Sequence, residues 1–290
     1  MRGRRELLFG LLFVSPWLLG FALFTLYPMA SSLFYSFTSY HITAAPRWIG
    51  WGNFQEMFTQ DDLFWVSLWN STVYTLVSVP LDVTVALILA VLLNTAVPGR
   101  RIFRTIFFLP QIMPPVVMSI LFVMIFSTQG GLLNDLLGFV GLGPVEWLSS
   151  PDWAMRSLIL MTTWGVGNTM VIFLAGLQDV PAHLYEAARI DGAGSLSLFR
   201  HVTVPLVSPV ILFNVVLNLI GAFQTFVVPF IVTNGGPLNS TQLYPLQVYQ
   251  NAFQNYRMGY ASAEAWFMFA IIFSLTLITL RLSRSAVHYS

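Results

Sequence analysis

Six stretches of about 20 apolar residues constrain the fold of this 290-residue chain more than any motif does. They run near 7–29, 72–95, 106–126, 157–177, 209–232 and 263–282. A bilayer core roughly 30 Å thick needs about 20 such residues per helix. Backbone polar groups find no water in hydrocarbon, so each stretch is expected to close its own hydrogen bonds as a helix. Composition agrees, because only 9% of residues are charged against 56% hydrophobic, and soluble domains carry about 25% charged residues. Too few polar groups remain to cover a water-facing surface. The expected fold is an all-α polytopic membrane protein of six transmembrane helices, with residues 1–290 forming a single transmembrane domain.

Arginines set the expected orientation. With the N-terminus inside, Arg2, Arg4, Arg5, Arg100, Arg101, Arg104, Arg189, Arg200, Arg281 and Arg284 lie on the cytoplasmic side, and only Arg47, Arg156 and Arg257 lie outside. That asymmetry follows the positive-inside rule, and six spans return the C-terminus to the cytoplasm. Trp48, Trp51, Trp65, Trp69, Trp147 and Trp153 then fall in or beside outer segments, as interfacial anchors do. The first stretch follows three arginines but outlasts the 7–15-residue core of a signal peptide, so it is expected to remain as a span. Three outer segments, near 38–70, 127–155 and 233–262, are too long for simple connections and are expected to carry structure or partners.

Two absences exclude whole classes of chemistry. No cysteine is present, which removes disulfides, thiolate nucleophiles and cysteine-bound metals. All thirteen residues in the Lys+Arg count are arginines, and a phosphate-binding P-loop needs a lysine. Any ATP-driven step must therefore use an ATPase on another chain. His41, His183, His201 and His288 show no ligand spacing, so no metal site is expected. A net charge of +1 gives no basic excess for nucleic acid.

Between the fourth and fifth stretches, residues 178–206 read as a short two-helix elbow on the cytoplasmic side. Pro181 suits a helix start, and Glu186, Ala187, Ala188 and Arg189 are helix formers. Gly192 and Gly194 permit a positive φ at the reversal. Ser195 is expected to cap a second helix whose Leu196, Phe199 and Val202 share a face. Small residues and flanking charges suit docking into a cleft, although Glu186 also serves its own helix.

The elbow resembles the signature of inner-membrane permeases of binding-protein-dependent ABC importers. That signature is Glu-Ala-Ala, three residues, Gly, nine residues, then Ile-x-Leu-Pro. Here it stands as Glu186-Ala187-Ala188, Gly192 and Val202-Thr203-Val204-Pro205, with valine at both aliphatic positions. The string Leu184–Ala193, the segment Asn234-Gly235-Gly236-Pro237 and the run Arg104–Pro110 are similar to the carbohydrate branch, which includes maltose and glycerol-phosphate permeases. The resemblance implies a type I importer permease fold in a bacterial inner membrane. It implies partners as well: two cytoplasmic ATPase subunits that carry ATP and Mg, a second and homologous permease chain, and an extracytoplasmic sugar-binding protein. No cofactor is implied for this chain, and it is not expected to be an enzyme. Glu186, Ala187, Ala188, Arg189, Asp191 and Gly192 are implied to couple to the ATPase.

A pathway for a sugar is read partly from polar residues at membrane depth, which face a cavity or another helix. Asn214, Asn218, Gly221 and Thr225 recur at helical spacing on one face, with Ala222 beside them. Trp164, Gly165 and Asn168 group in the fourth span. Sugar contacts of the maltose relative fall on Trp164, Gly165, Asn168, Gly221, Ala222 and Thr225, although most residue types differ there. Ordinary helix packing explains the same residues about equally well. Asp82 is the one carboxylate deep in a span and is expected to bond to another helix of the chain. Pro110, Pro114 and Pro115 predict a bend in the third span. The rival reading is an ion-coupled sugar carrier, which leaves the elbow unexplained.

Overall fold

The computed structural model describes residues 2–95 and 98–283, with side chains from Phe9 onward. The side chains of Arg2, Arg4 and Arg5, and all of Arg284 and His288, lie outside the described residues. Four helices are each long and apolar enough to cross a membrane: Phe9–Ser36, Asp62–Asn94, Ser208–Val232 and Met258–Leu282. Two bent pairs bring the count to six if each pair is one span.

The bent pair in the third span is the bend expected of its prolines, whereas the one in the fourth corrects the expectation of a simple helix at 157–177. In the third span, Arg100–Ile112 and Pro115–Ile125 meet at 103°. The prolines explain the break. Met113 precedes Pro114 and adopts extended backbone (φ −75°, ψ 137°), as does Pro114 before Pro115 (φ −56°, ψ 135°). In the fourth span, Pro151–Thr163 and Gly167–Gln178 are bent by 45° across Trp164–Val166. The unbroken spans are also longer than their apolar stretches. The second helix begins at Asp62, ten residues before the hydrophobic run at 72, with an acidic residue in its first turn. Hydropathy marks the part that sits in lipid, whereas the helix continues wherever Phe64, Ser67 and Ser71 find buried contacts.

Residues 1–62 and 248–269 form one compact unit, and 63–247 with 270–290 form another. Within the first unit, the long helix contains a π-helical turn at Ala22–Leu26, where the Tyr27 N–H reaches the carbonyl of Ala22. Pro28 follows and has no N–H to continue the ordinary ladder. Beyond Ser36 the chain folds back in a two-stranded pairing, Thr38 opposite Trp48 and Ser39 opposite Arg47. Buried Asn53 holds this corner by donating to the carbonyls of Ser36 (2.8 Å) and Thr38 (2.9 Å). Glu56 pairs with Arg257 at 2.5 Å, Arg257 lies 4.3 Å from the Tyr260 ring centre, and the Tyr260 hydroxyl donates to Asp61 at 2.6 Å. The long segments between spans therefore carry fixed structure.

The second unit is built on small-residue contacts. A Cβ on Gly167 would lie 2.6 Å from the Phe107 carbonyl oxygen and 2.9 Å from Phe108 Cα, so the helices Gly167–Gln178 and Arg100–Ile112 meet backbone to backbone. Gly176 similarly admits Val210. Around these contacts Ala86, Ala90, Met170, Phe173, Leu174 and Val207 form a buried cluster joining the second, fourth and fifth spans.

Candidate functional site

A cavity of about 620 Å³ opens where the helix breaks fall. The second span contributes Tyr74, Ser78 and Asp82, and the broken third span contributes Gln111 and Met113. Gly165 and Asn168 line it from the fourth span, and Asn214, Asn218, Gly221, Ala222 and Thr225 from the fifth. Seven of the eight residues singled out as a pathway in the sequence thus surround one space. Trp164 does not. It is 61% exposed and absent from the cavity wall, because the break that brings Gly165 inward turns its neighbour outward.

Polar groups in this wall are partly satisfied by their own helices. Asn214 donates to the Val210 carbonyl at 3.0 Å, and Asn218 donates to the Asn214 carbonyl at 2.8 Å and to Thr169 Oγ1 at 3.2 Å. Asn214 Oδ1 and Ser78 Oγ are buried with no hydrogen-bond partner. Such orphaned groups carry a desolvation cost of about 1–3 kcal/mol unless something enters to bond them. Asp82 accepts from Thr163 Oγ1 at 2.9 Å, which is the bond to another helix that the sequence predicts. Among the described residues, no basic side chain lines the cavity. The wall offers amides, hydroxyls, one carboxylate and apolar Met and Phe surface, a mixture suited to a polyhydroxylated molecule with apolar faces.

Tyr74, Ser78 and Gln111 were not singled out from the sequence. A signal existed: Tyr74, Ser78 and Asp82 recur every four residues and share one helix face.

The elbow follows directly from the helix that carries Asn168. Helix Ala182–Ile190 ends at Gly192, whose φ of +84° reverses the chain. The Gly192 N–H bonds the Arg189 carbonyl, and the Ala193 N–H bonds that of Ala188. Ser195–Leu198 then begins a second short helix, and a 3.1 Å bond between Tyr185 Oη and Thr203 Oγ1 ties the two limbs. One expectation is corrected here. Gly194 is extended (φ −76°, ψ 170°) and itself occupies the cap position, so Ser195 is the first helical residue and makes no cap bond. Leu196 is 79% exposed, while Phe199 and Val202 are half-buried.

Glu186, Ala187, Arg189, Asp191 and Gly192 are exposed, and Ala188 is half-buried. Ile190 is 87% exposed. Among the described residues, Glu186, Arg189 and Asp191 make no salt bridge. The elbow therefore presents two bare apolar side chains and three unpaired charges beside a tight turn. Among the described residues, no group of His, Asp and Glu is placed to hold a metal ion.

Comparison with known proteins is consistent along the chain. The family model described as binding-protein-dependent transport system inner membrane component matches residues 82–288. A probable ABC transporter permease protein, YesP of Bacillus subtilis strain 168, is 45% identical over 290 residues, covering 99% of this chain and 94% of the relative. The lactose transport system permease protein LacF of Rhizobium radiobacter is 39% identical over 253 residues, covering 84% and 83%. In fold, the chain is similar to one in the crystal structure of a bacterial alginate ABC transporter with its oligosaccharide-bound periplasmic protein. The TM-score is 0.83 at 24% identity, over 98% of this chain and 96% of that one. A six-span helical permease whose elbow and cavity stand as described belongs to the family of inner-membrane components of binding-protein-dependent ABC transport systems.

Proposed function

We propose that this chain moves a sugar or oligosaccharide inward across a bacterial inner membrane, receiving it from an extracytoplasmic binding protein. The observation that carries the proposal is the unpaired elbow hung from the same helix that lines the polar cavity. Ile190 and Leu196 offer apolar anchors, and Glu186, Arg189 and Asp191 offer charge-assisted bonds, to a cleft in a separate ATPase. ATP and Mg belong to that partner. The arginine distribution supports an elbow and both termini on the cytoplasmic side. A second, homologous permease chain completes the translocation path, with residues 1–290 acting as one transmembrane domain.

Relatives support the cargo class. They include permeases described for lactose, for sulfoquinovosyl glycerol and for trehalose and maltose, at 39%, 34% and 30% identity. The amides of Asn168, Asn214 and Asn218 face the cavity where sugar hydroxyls need partners. In liposomes holding the whole complex, Asn218→Ala and Asn168→Ala are each expected to slow uptake roughly 2- to 12-fold, the range given by a hydrogen bond worth about 0.5–1.5 kcal/mol. Stimulation of ATP hydrolysis by the loaded binding protein should persist. Unchanged uptake in both variants removes the cavity assignment. An ion-coupled carrier differs in its energy source: uptake is expected to survive an uncoupler and to stop when ATP is depleted.

A further inference from the structure

Asp82 has no role in binding the ATPase, yet it is the one carboxylate among residues 63–134. A lone aspartate at membrane depth costs about 2.5–3.5 kcal/mol on insertion scales, so what it bonds matters. Its described partner is the hydroxyl of Thr163, the last residue of Pro151–Thr163. The break of the fourth span starts at the next residue. Beyond it the chain turns on Gly165, whose N–H bonds the Thr162 carbonyl at 2.8 Å. It then resumes at Gly167, which is pressed on the backbone of Phe107 and Phe108. From there a single helix, Gly167–Gln178, leads to the elbow.

Thr163 has one hydroxyl proton and two acceptors in reach. Asp82 Oδ1 lies at 2.9 Å and the Ile159 carbonyl, one turn back on its own helix, at 3.0 Å. The hydroxyl is able to leave Asp82 without losing a hydrogen bond. Asp82, released, still lines the polar cavity. Both arrangements are satisfied, which is what a two-position element requires.

We propose that Asp82 and Thr163 form a latch between the second span and the segment that ends at the break in the fourth span, closed in this structure and open in the other transport state. The latch links elbow movement to the cavity wall. Asp82 is thus a positioning residue, acting through Thr163 at the end of Pro151–Thr163, the helix that runs into the break and Gly165. This rests on the transport reading above.

The test uses the complete complex in liposomes, with spin labels at Asp152→Cys and Ala175→Cys in the naturally cysteine-free chain. Both positions are exposed, one in each half of the broken span. At 1.5 Å per residue, full straightening of the 45° bend would lengthen the label separation by about 2 Å. The label separation is expected to differ between the nucleotide-free state and the state trapped with ATP and vanadate. Without nucleotide, Thr163→Val and Asp82→Leu, each of which removes one partner of the bond, should each raise the trapped-type population about tenfold, as about 1.4 kcal/mol would. The double variant should match the singles, and Thr163→Ser should restore the wild-type distribution. A purely structural role predicts altered complex yield with unaltered populations, which overturns the latch. So does a label separation that ignores nucleotide while ATP is hydrolysed. If no ATPase accompanies the chain, the transport reading fails first and the latch with it.

Discussion

Replacing Gly192 by valine should abolish uptake while leaving wild-type amounts of the chain in the membrane. Gly192 sits at φ +84°, and a Cβ built there would meet nothing within 4 Å. Space is not the obstacle. The left-handed conformation is, at roughly 1–2 kcal/mol for an ordinary L-residue and more for a β-branched one. The cheapest escape is to change the turn, because its backbone bonds to Ala188 and Arg189 are exposed and local. Changing the turn redirects Ile190 and Leu196 relative to one another, and these are the side chains with nothing of this chain covering them. The spans fold without the elbow's help, since helix Ala182–Ile190 buries no residue. Immunoblots of washed membranes should therefore match wild type while uptake falls to background. Gly192→Ala should keep part of the activity. Normal transport by the valine variant would remove the elbow from the coupling path.

Gly167→Ala is expected to lower thermal stability far more than Gly221→Ala, although both glycines belong to the walls of the same unit. The added methyl at 167 would stand 2.6 Å from a carbonyl oxygen and 2.9 Å from a Cα, and neither backbone atom can swing aside as a side chain would. The two helices must separate. Overpacking of this kind costs about 1–3 kcal/mol, which for a chain of this size corresponds to a fall in Tm of roughly 4–8 °C for a cost near 2 kcal/mol. At Gly221 a Cβ meets nothing within 4 Å, so that variant should melt within about a degree of wild type, like other surface changes within about 0.5 kcal/mol. Melting of the detergent-purified complex separates these outcomes. Equal Tm values for the two variants would contradict the close contact between the third and fourth spans.

What the sequence conveys and what it withholds follow from the range of each interaction. Apolar length and the Pro114-Pro115 pair are local, so the number of spans and the bend in the third were readable. Asn214, Asn218 and Gly221 are set by the period of the helix Ser208–Phe223, and with Thr225, just beyond its end, they line the cavity. Trp164 lies at a 45° break that hydropathy does not mark, so its direction away from the cavity was not legible from helical spacing. The hidden starts of the second and last helices have a similar origin, since hydropathy is blind once a helix leaves lipid. Glu56 and Arg257 are separated by 201 residues, and no period or motif marks them as a pair. Gly192 was legible as a reversal and Gly194 was not, because two nearby glycines offer the same freedom and only one turn uses it.

The central claim is that the elbow faces the cytoplasm and grips a separate ATPase. Because the chain has no cysteine, Ile190→Cys supplies a single thiol at an elbow position that is 87% exposed. In cells expressing the whole complex, that thiol should ignore a membrane-impermeant maleimide added outside and react in inverted vesicles. A short bifunctional reagent should then join it to a nucleotide-hydrolysing subunit, and ATP should change the yield. Labelling from outside, or a crosslink that never captures an ATPase, would contradict the account.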